Sequence, residues 1–273
     1  MNTVSIVGVG LIGGSFALAL RQAGFAGRII GVSSPRTIAA ALERGVIDEA
    51  LPLAPAAAAA DLIYLAQPIE QILCTLETLD RHLRPGTLVT DAGSTKRAIV
   101  GHAAHHIRRG EFVGGHPMAG KESRGVEQAE AGLFRGRPYV LSSRNAVLES
   151  WIERIGARLV ILDATEHDRL VALTSHLPQL ISTALASQIT PEAAQVAGPA
   201  ALDLTRLALS PYEIWRDIFA TNADAIEGAL GAFIARLEAL RAALRSPEMQ
   251  REFDRAAVAA AALRNLRDPP GPS

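Results

Sequence analysis

Cysteine, net charge and lysine are all scarce in this chain of 273 residues. Its single cysteine, Cys74, excludes an internal disulfide and suits a reducing cytoplasm. A formal net charge of −1 argues against a nucleic-acid-binding protein, which would need a basic excess. Of the 27 cationic side chains only Lys96 and Lys121 are lysines, so the other 25 are arginines. A lysine that persists against such a bias is a weak pointer to chemistry that a guanidinium cannot supply.

Targeting segments and long hydrophobic runs are also missing from the sequence. Met1-Asn2-Thr3 runs directly into an apolar segment without a basic region, which indicates no signal peptide. The alanine-rich stretch near Ala56 is interrupted by Pro52, Pro55 and Asp61, and no window predicts an uninterrupted membrane span. Because 49% of the residues are hydrophobic, we expect a folded protein. The lone cysteine and the interrupted apolar runs lead us to expect a cytoplasmic location and no membrane partner.

Strand and helix patterns alternate in the first part of the chain. Short apolar runs predict strands near residues 4–7, 28–32, 62–65, 87–90, 112–114, 139–141 and 159–162, with helical spacing over 15–23, 37–44 and 69–82. Such alternation is typical of a parallel α/β sheet. After Asp163 the strand signals vanish, and Thr165 is the predicted N-cap of the first of three helices, over 165–188, 191–209 and 211–244.

These patterns predict an α/β fold with two domains. An N-terminal Rossmann-type domain with a mostly parallel sheet (residues 1–164) precedes an all-α C-terminal dimerisation domain (165–267) and a disordered tail (268–273). The stretch from Ile214 to Leu244 is more apolar than a lone solvated helix needs. Either a dimer interface or an ordinary core helix would bury it, and a homodimer through the helical domain is our expectation.

A glycine-rich turn predicts the cofactor site. The segment Gly8-Val-Gly10-Leu11-Ile12-Gly13 fits the G-x-G-x-x-G pattern, which is weak alone but here follows a predicted strand and opens a predicted helix. Gly8 permits the tight turn, Gly10 lets the backbone approach a pyrophosphate, and Gly13 lets helix and strand pack closely. The helix N-terminus favours the anion. These three glycines, with Leu11 and Ile12, are the predicted dinucleotide contacts.

The end of the second strand predicts which dinucleotide binds. An NAD site usually has Asp or Glu about 20 residues past the glycine motif, on the ribose 2′-hydroxyl. Here the segment reads Gly31-Val-Ser-Ser-Pro-Arg36, without a carboxylate. Ser33 and Ser34 offer hydroxyls, and Arg36 could meet a 2′-phosphate. We therefore favour NADP over NAD; the alternative role for Arg36 is a solvated helix start.

Three further polar segments lie where function concentrates. Thr90-Asp91-Ala-Gly-Ser94-Thr-Lys96 is at the C-terminal end of a strand, where ligands bind in α/β sheets, although Ser94 could also be a helix N-cap. Gly114-Gly-His116-Pro-Met-Ala-Gly120 holds a histidine on an irregular loop. Ser175-His176-Leu-Pro-Gln179 places another histidine just before a helix-breaking proline.

In their order along the chain these motifs resemble those of the prephenate/arogenate dehydrogenases of tyrosine biosynthesis. The resemblance covers about residues 3–225 and rests on Gly8-x-Gly-Leu-Ile-Gly-Gly-Ser15, Asp91-x-x-Ser94-x-Lys96, Gly115-His-Pro-Met-Ala-Gly120, His167-Asp168 and Ser175-His-Leu-Pro-Gln179. It implies the oxidative decarboxylation of prephenate or arogenate, with hydride transfer to NAD(P)+ and loss of the ring carboxylate as CO2.

The resemblance also implies what the site residues do. His116 would accept the proton of the ring 4-hydroxyl, a task that suits a neutral imidazole near pH 7. Ser94 would contact the same hydroxyl, and Arg206 would bind a substrate carboxylate. Further substrate contacts are expected from His176, Gln179 and Lys96, and a cofactor contact from Asp91.

One departure from the family pattern concerns the choice of substrate. Many members carry Arg-Asp where this chain has Leu202-Asp203. A carboxylate near the substrate side chain would favour arogenate, whose side chain carries an ammonium, and Asp203 and Glu122 are the candidates. Prephenate and arogenate therefore both stay open.

Other functions compete with this interpretation. A two-domain dehydrogenase for 3-hydroxy acids or imines would share the architecture, but such enzymes usually use a helical lysine as the catalytic group. A non-catalytic NADP-binding regulator would keep the glycine turn without needing His116, Ser94 and Arg206 together. No metal is expected, because the histidines at 102, 105 and 106 lack a cysteine or a carboxylate cluster beside them.

Overall fold

The structure is a computed structural model that describes residues 1–121 and 123–267. In chain order its strands and helices are β1 (Thr3–Val7), α1 (Leu11–Gln22), β2 (Arg28–Val32), α2 (Pro35–Glu43), β3 (Glu49–Ala50), α3 (Leu53–Ala59), β4 (Leu62–Leu65), α4 (Ile69–Leu79), β5 (Leu88–Asp91), α5 (Arg97–His106), β6 (Glu111–Val113), β7 (Gly115–Pro117), β8 (Pro138–Leu141), α6 (Ala146–Arg154), β9 (Arg158–Ile161), α7 (Ala164–Val171), α8 (Leu177–Gln188), α9 (Pro191–Ala194), α10 (Pro199–Thr205), α11 (Tyr212–Ala243) and α12 (Glu248–Arg267). The predicted order of a sheet domain followed by helices is confirmed.

A six-stranded parallel sheet forms the centre of the first part, in the order β3-β2-β1-β4-β5-β6. The chain first adds β2 and β3 on one side of β1, and then adds β4, β5 and β6 on the other side. At this reversal Val7 pairs with Val32 on one side and with Leu65 on the other, and Leu65 pairs in turn with Asp91. The carboxyl ends of four strands therefore meet at one edge, where open α/β sheets bind ligands.

The strands after β6 form a second sheet, which the sequence pattern did not separate from the first. Its order is β7-β8-β9, with β7 antiparallel to β8. The break falls at Gly114 and Gly115, where the chain crosses the end of β5. A Cβ on Gly115 would lie 2.5 Å from the Asp91 carbonyl oxygen, so only glycine allows this close approach.

Apolar side chains between the sheets and helices build the core. Phe16 of α1 stacks on Tyr64 of β4 with ring centroids 4.0 Å apart, and Phe134 meets Phe16 edge-on at 6.5 Å. Helix α1 is packed so tightly that a Cβ on Gly14 would lie 2.9 Å from the Ala129 side chain. This packing holds the N-terminal end of α1 at the ligand edge of the sheet.

The helices after Asp163 differ in detail from the prediction. Asp163, not Thr165, is the N-cap of α7, because its carboxylate accepts hydrogen bonds from the amides of Thr165 and Glu166 at 3.0 Å. The helix predicted over 165–188 is interrupted by a π-helical turn at Ala172–His176. Pro178 follows in the first turn of α8, where its missing N–H cannot continue the previous ladder.

The helix predicted over 191–209 is also shorter than expected. It consists of α9, α10 and a 3-10 turn at Arg206–Leu209. Gly198 and Pro199 separate the pieces, since glycine is a poor helix former and proline starts a new helix readily. Arg206 therefore lies in a tight turn rather than on a long helix.

Contacts divide the chain into two compact units, Met1–Ala223 and the residues from Asp224 onward. The boundary predicted near Ala164 stays a prediction, and the predicted tail, 268–273, lies outside the described residues. Within α11 the backbone is non-helical at Asn222, with φ −138° and ψ 25°.

One helix departs from the expectation that no segment could span a membrane. Among the described residues, Tyr212–Ala243 is long and apolar enough to do so by length and composition, with a mean hydropathy of 1.2. Only 17% of that apolar window is buried within the chain. A dimer interface would account for the same apolar surface.

Candidate active site

The glycine turn between β1 and α1 has the geometry of a dinucleotide site. Gly8 adopts φ +94°, and a Cβ there would lie 2.7 Å from the Ala66 carbonyl oxygen. A Cβ on Gly13 would lie 2.1 Å from the Gly8 carbonyl oxygen. At Gly10, by contrast, a Cβ would meet no atom within 4 Å. Two glycines are therefore required by close packing, and the third faces open space.

That open space is a cavity of about 560 Å³ at the switch point of the sheet. Its floor includes Gly10, Leu11 and Ile12, and its far wall includes Gly93 and Ser94. The free N-terminus of α1 has no acidic residue in its first turn, which suits an anion. The residues present thus fit a nicotinamide dinucleotide, for which the α1 N-terminus would hold the pyrophosphate.

The segment predicted to select NADP lies exposed after β2. Ser34 is the N-cap of α2, and its hydroxyl accepts from the Thr37 amide at 3.4 Å. Ser33 and Arg36 are exposed beside it. A carboxylate is absent from this segment, so the expected partner of a ribose 2′-hydroxyl is missing there.

At the end of β5 a fully buried ion pair fixes the crossing of the two sheets. The Asp91 carboxylate pairs with the Lys96 ammonium, and both side chains have 0% exposure. Asp91 also accepts hydrogen bonds from the amides of Gly93 at 2.8 Å and Gly115 at 3.0 Å. Burial lowers the pKa of Lys96, and the attraction of Asp91 opposes that shift.

This arrangement bears on the roles predicted for these two residues. Both side chains are closed off from solvent and engaged with each other, and the predicted contacts of Lys96 with the substrate and of Asp91 with the cofactor stay predictions. Through its bonds to Lys96 and to the Gly115 amide, Asp91 links the strand end that carries Ser94 to the strand that carries His116. Ser94 itself is half-buried and lines the cavity, as a residue close to the nicotinamide should.

His116 lies on strand β7 of the second sheet rather than on the predicted irregular loop, because its backbone pairs with Val140 of β8. It is also the first member of a line of buried side chains. Its Nδ1 is 2.8 Å from Nε2 of His167, and Nδ1 of His167 is 2.7 Å from Oδ1 of Asp168. His116 retains 9% exposure, whereas His167 has 0% and Asp168 1%. Burial holds the pKa of His116 well below its ordinary value of 6.5, and the nearby His167, Lys96 and His176 add to the shift. His116 is therefore a neutral imidazole at pH 7.

His176 lies nearby in a second buried polar group. Burial lowers its pKa to about 4 from 6.5, so it too is neutral at pH 7. Its Nδ1 is 3.4 Å from the Asn222 amide nitrogen, and its ring meets Trp215 edge-on at 6.0 Å. The π-helical turn before Pro178 places this ring inside the protein.

Gln179 and Arg206 lie on neighbouring elements. Gln179 is buried and donates to Thr183 at 3.2 Å, and within the described residues its carbonyl oxygen has no partner. The turn that carries Arg206 is tied to α8 by the amide of Ala208, which donates to Ser182 at 3.0 Å. Their contacts with a substrate stay predictions.

Two functional features were missed by the sequence reasoning. His167 and Asp168 are part of the family motif, but the sequence assigns them no role. An adjacent His-Asp pair is a signal for a role in orienting a second histidine. Asn222 donates to the Asp168 carbonyl oxygen at 2.9 Å and also approaches His176. It lies in an apolar helix, where no pattern singled it out.

In the part of the chain that the structure describes, no cluster of three His, Cys, Asp or Glu could hold a metal.

A glycine turn at a switch point, a cavity beside it and a buried neutral histidine define a dinucleotide-dependent dehydrogenase. Comparisons with known proteins agree. The model for the prephenate dehydrogenase nucleotide-binding domain matches residues 16–164, and that for the prephenate dehydrogenase dimerization domain matches residues 163–256. The chain belongs to the prephenate dehydrogenase family.

Relatives and solved structures extend over most of the chain. A prephenate dehydrogenase of Lactococcus lactis is 35% identical over 82% of this chain, which spans 66% of that protein, just under two thirds. The structure of prephenate dehydrogenase from A. aeolicus, in complex with hydroxyphenyl propionate and NAD+, has a TM-score of 0.89 at 30% identity, covering 96% of this chain and 98% of the other. The Synechocystis arogenate dehydrogenase structure has a TM-score of 0.84 at 32% identity, with coverages of 96% and 99%.

Proposed function

We propose that this protein catalyses the oxidative decarboxylation of prephenate or arogenate, with hydride transfer to a nicotinamide dinucleotide. The observation that carries the proposal is the buried, neutral His116, hydrogen-bonded at its Nδ1 and leaving its Nε2 for a substrate hydroxyl. A neutral imidazole that can accept a proton, together with a cavity that fits a dinucleotide, is the equipment for oxidising an alcohol carbon. Relatives named as prephenate and arogenate dehydrogenases support this choice of substrate class.

In this mechanism His116 moves one proton. Its Nε2 accepts the proton of the ring 4-hydroxyl while the carbon that bears the hydroxyl loses its hydrogen as hydride. The bond between the ring and its carboxylate then breaks, and CO2 leaves. The electron pair of that bond stays with the ring, which becomes aromatic. His116 returns the proton to the new phenolic oxygen, so the histidine ends as it began. The bound dinucleotide supplies the hydride acceptor.

Other residues orient the substrate in this proposal. Ser94 lines the cavity at the end of β5, from where its hydroxyl can contact the substrate hydroxyl. Arg206 would bind a substrate carboxylate with its planar guanidinium. His176 and Gln179, both buried, would face the substrate side chain.

Two substitutions test these roles. His116→Asn should lower kcat by about 10²–10⁴, since that is the usual contribution of general acid–base catalysis, while dinucleotide affinity persists. Arg206→Ala should chiefly raise KM for the substrate. Reduced-cofactor absorbance with prephenate and with arogenate measures both. No turnover with either substrate would refute the proposal, and equal loss of dinucleotide binding in the two variants would refute the role assignments.

We also propose NADP as the preferred dinucleotide. The supporting observation is the exposed Ser33, Ser34 and Arg36 after β2, without a carboxylate for a ribose 2′-hydroxyl. Arg36→Ala should raise the Kd for NADP+ by about 10- to 150-fold, because a charge-assisted hydrogen bond contributes about 1.5–3 kcal/mol. The Kd for NAD+ should stay constant. An equal effect on both dinucleotides would contradict the preference.

A homodimer and a cytoplasmic location complete the proposal. The match to a dimerization domain supports the dimer, as do exposed apolar side chains such as Leu209, which is 81% exposed. The lone, exposed Cys74 suits a reducing compartment. Sedimentation of the full chain tests the dimer, and a monomer at micromolar concentration would contradict it.

The competing functions are less well supported. An enzyme for 3-hydroxy acids or imines would usually need a helical lysine, and no lysine follows Lys121 in the sequence. A non-catalytic regulator would have no use for a buried, hydrogen-bonded His116. Turnover of prephenate or arogenate excludes the regulator directly.

A further inference from the structure

Three buried side chains form a line that ends at the proposed base. Asp168, His167 and His116 are joined by hydrogen bonds of 2.7 and 2.8 Å. We infer that Asp168, acting through His167, fixes the tautomer of His116 and thereby makes Nε2 its proton acceptor. The inference deepens the proposed function and rests on it for the role of His116. Asp168 and His167 are positioning residues, because neither reaches the substrate.

The tautomer follows from counting donors and acceptors along the line. A carboxylate can only accept, so Nδ1 of His167 must carry the hydrogen that points at Asp168. With one hydrogen on each ring, Nε2 of His167 has the lone pair, and Nδ1 of His116 donates to it. A neutral His116 that is protonated on Nδ1 has its only lone pair on Nε2. The hydrogen bonds thus leave one tautomer of His116, with its hydrogen on Nδ1 and its lone pair on Nε2.

The carboxylate at the far end is itself held from several sides. Its Oδ1 accepts from the Lys96 amide at 2.7 Å and its Oδ2 from the Arg97 amide at 2.9 Å, so both oxygens are fixed at the start of α5. The Asn222 side chain donates to the carbonyl oxygen of the same residue at 2.9 Å. Asp168 therefore cannot turn away from His167 without losing backbone partners.

The same line stabilises the charge that appears during the reaction. When His116 accepts a proton, the nearby Lys96 ammonium opposes the new charge. Lys96 is neutralised by Asp91, and Asp168 is the carboxylate at the end of the hydrogen-bonded line. Such a carboxylate behind an imidazole orients the ring and stabilises its cation.

Asp168→Asn is the sharpest perturbation of this line. The amide has one acceptor where the carboxylate has two, so it cannot satisfy the amides of Lys96 and Arg97 and also accept from His167. If its NH2 group faces His167, the hydrogens of both imidazoles shift, and Nε2 of His116 becomes a donor. We expect kcat to fall by about 10²–10⁴, as when a wrong tautomer is imposed on a catalytic histidine. The Kd for NADP+ should change less than about twofold.

Glu166→Gln is the matched control on the same helix. It makes the same carboxylate-to-amide change two residues earlier, at an exposed side chain that pairs with Arg169. Its kcat should equal that of the wild type. If Glu166→Gln loses as much turnover as Asp168→Asn, the effect is one of helix α7 and the inference is overturned.

A spectroscopic measurement tests the tautomer without any substrate. In protein labelled with 15N-histidine, His116 should show an unprotonated, pyridine-like Nε2 and a protonated Nδ1, its signals being assigned by their loss in His116→Asn. In Asp168→Asn the two environments should exchange or mix. A protonated Nε2 in the wild type at pH 7 overturns the inference even if the enzyme turns over prephenate. A correct tautomer in an enzyme that turns over neither substrate would count against the proposed function alone.

His167→Phe guards against the case in which Asp168→Asn does not fold. Phenylalanine keeps much of the ring volume but gives Nδ1 of His116 no acceptor. A folded variant with normal NADP+ affinity and substrate KM but a lowered kcat supports the inference. An unchanged kcat overturns it, because His116 would then need no partner to present Nε2.

Discussion

The buried ion pair at the end of β5 leads to a quantitative prediction about the two lysines. Lys96→Met removes the ammonium that neutralises Asp91 while an unbranched side chain of similar length fills the same space. Asp91 keeps the amides of Gly93 and Gly115 as donors, but its charge stays in a site with 0% exposure. Removing one partner of a buried ion pair costs about 3–5 kcal/mol. We expect the free energy of unfolding to fall by about 3 kcal/mol, because two backbone donors remain.

Lys121→Met is the internal control for this experiment. The Lys121 ammonium pairs with Glu130 at 2.8 Å and donates to the Gln128 carbonyl oxygen at 3.1 Å. Its side chain is 31% exposed and that of Glu130 52%, so solvent screens the pair. An exposed ion pair contributes about 0–1 kcal/mol. The same chemical change should therefore cost far less at Lys121 than at Lys96.

Urea unfolding of the wild type and both variants measures the difference. All three are compared at one pH and one protein concentration, since a dimer's stability depends on concentration. The m-value should stay constant, so that the midpoint shift reports stability alone. If Lys96→Met lies within about 1 kcal/mol of Lys121→Met, the ammonium does not neutralise Asp91 as the geometry indicates.

Four further predictions use other parts of the site. Gly8→Ala places a side chain at φ +94° and 2.7 Å from a carbonyl oxygen, and should cost about 1–3 kcal/mol in urea unfolding; Gly10→Ala should weaken NADP+ binding in a titration with little loss of stability. His176 has a pKa of about 4 in the folded protein against 6.5, so the unfolded chain binds more protons between these values. The stability it contributes is complete above pH 6.5 and declines by about 3 kcal/mol as the pH falls to 4, a slope that His176→Gln should lack. Because only neutral His116 accepts a proton, kcat/KM should stay flat below pH 6.5 and fall only at the lowered pKa of His116; an acid limb at 6.5 would contradict its burial.

Local patterns predicted the parts of this molecule that depend on neighbours in sequence. The glycine turn was predictable because a tight turn, a close approach and a helix start all fall within six residues, Gly8 to Gly13. The parallel sheet followed from the alternation of strands and helices. The separate sheet of β7, β8 and β9 did not, because its cause is the approach of Gly115 to Asp91 from a distant part of the chain.

The hydrogen-bond partners that hold His116 could not be predicted either, because they too come from distant parts of the sequence. His116 and His167 are 51 residues apart, and Lys96 and Asp168 are 72 apart. Motif matching could name each member, but only packing shows that they touch. It also shows that Asp91 and Lys96 pair with each other and are fully buried. Residues with charged side chains near a site are easily taken for ligand contacts when their burial is unknown.

The scarcity of lysine now has a physical reason at one of its two positions. Lys96 is fully enclosed, and one carboxylate is its partner. A guanidinium has five donors in a rigid plane, and burying it there would leave some of them unsatisfied, whereas a compact ammonium on a flexible stem fits one carboxylate. Lys121 is partly exposed, and an arginine could make the same contacts with Glu130 and the Gln128 carbonyl oxygen. Burial beside a single carboxylate therefore gives a physical reason for lysine at position 96, and the structure gives no comparable reason at Lys121.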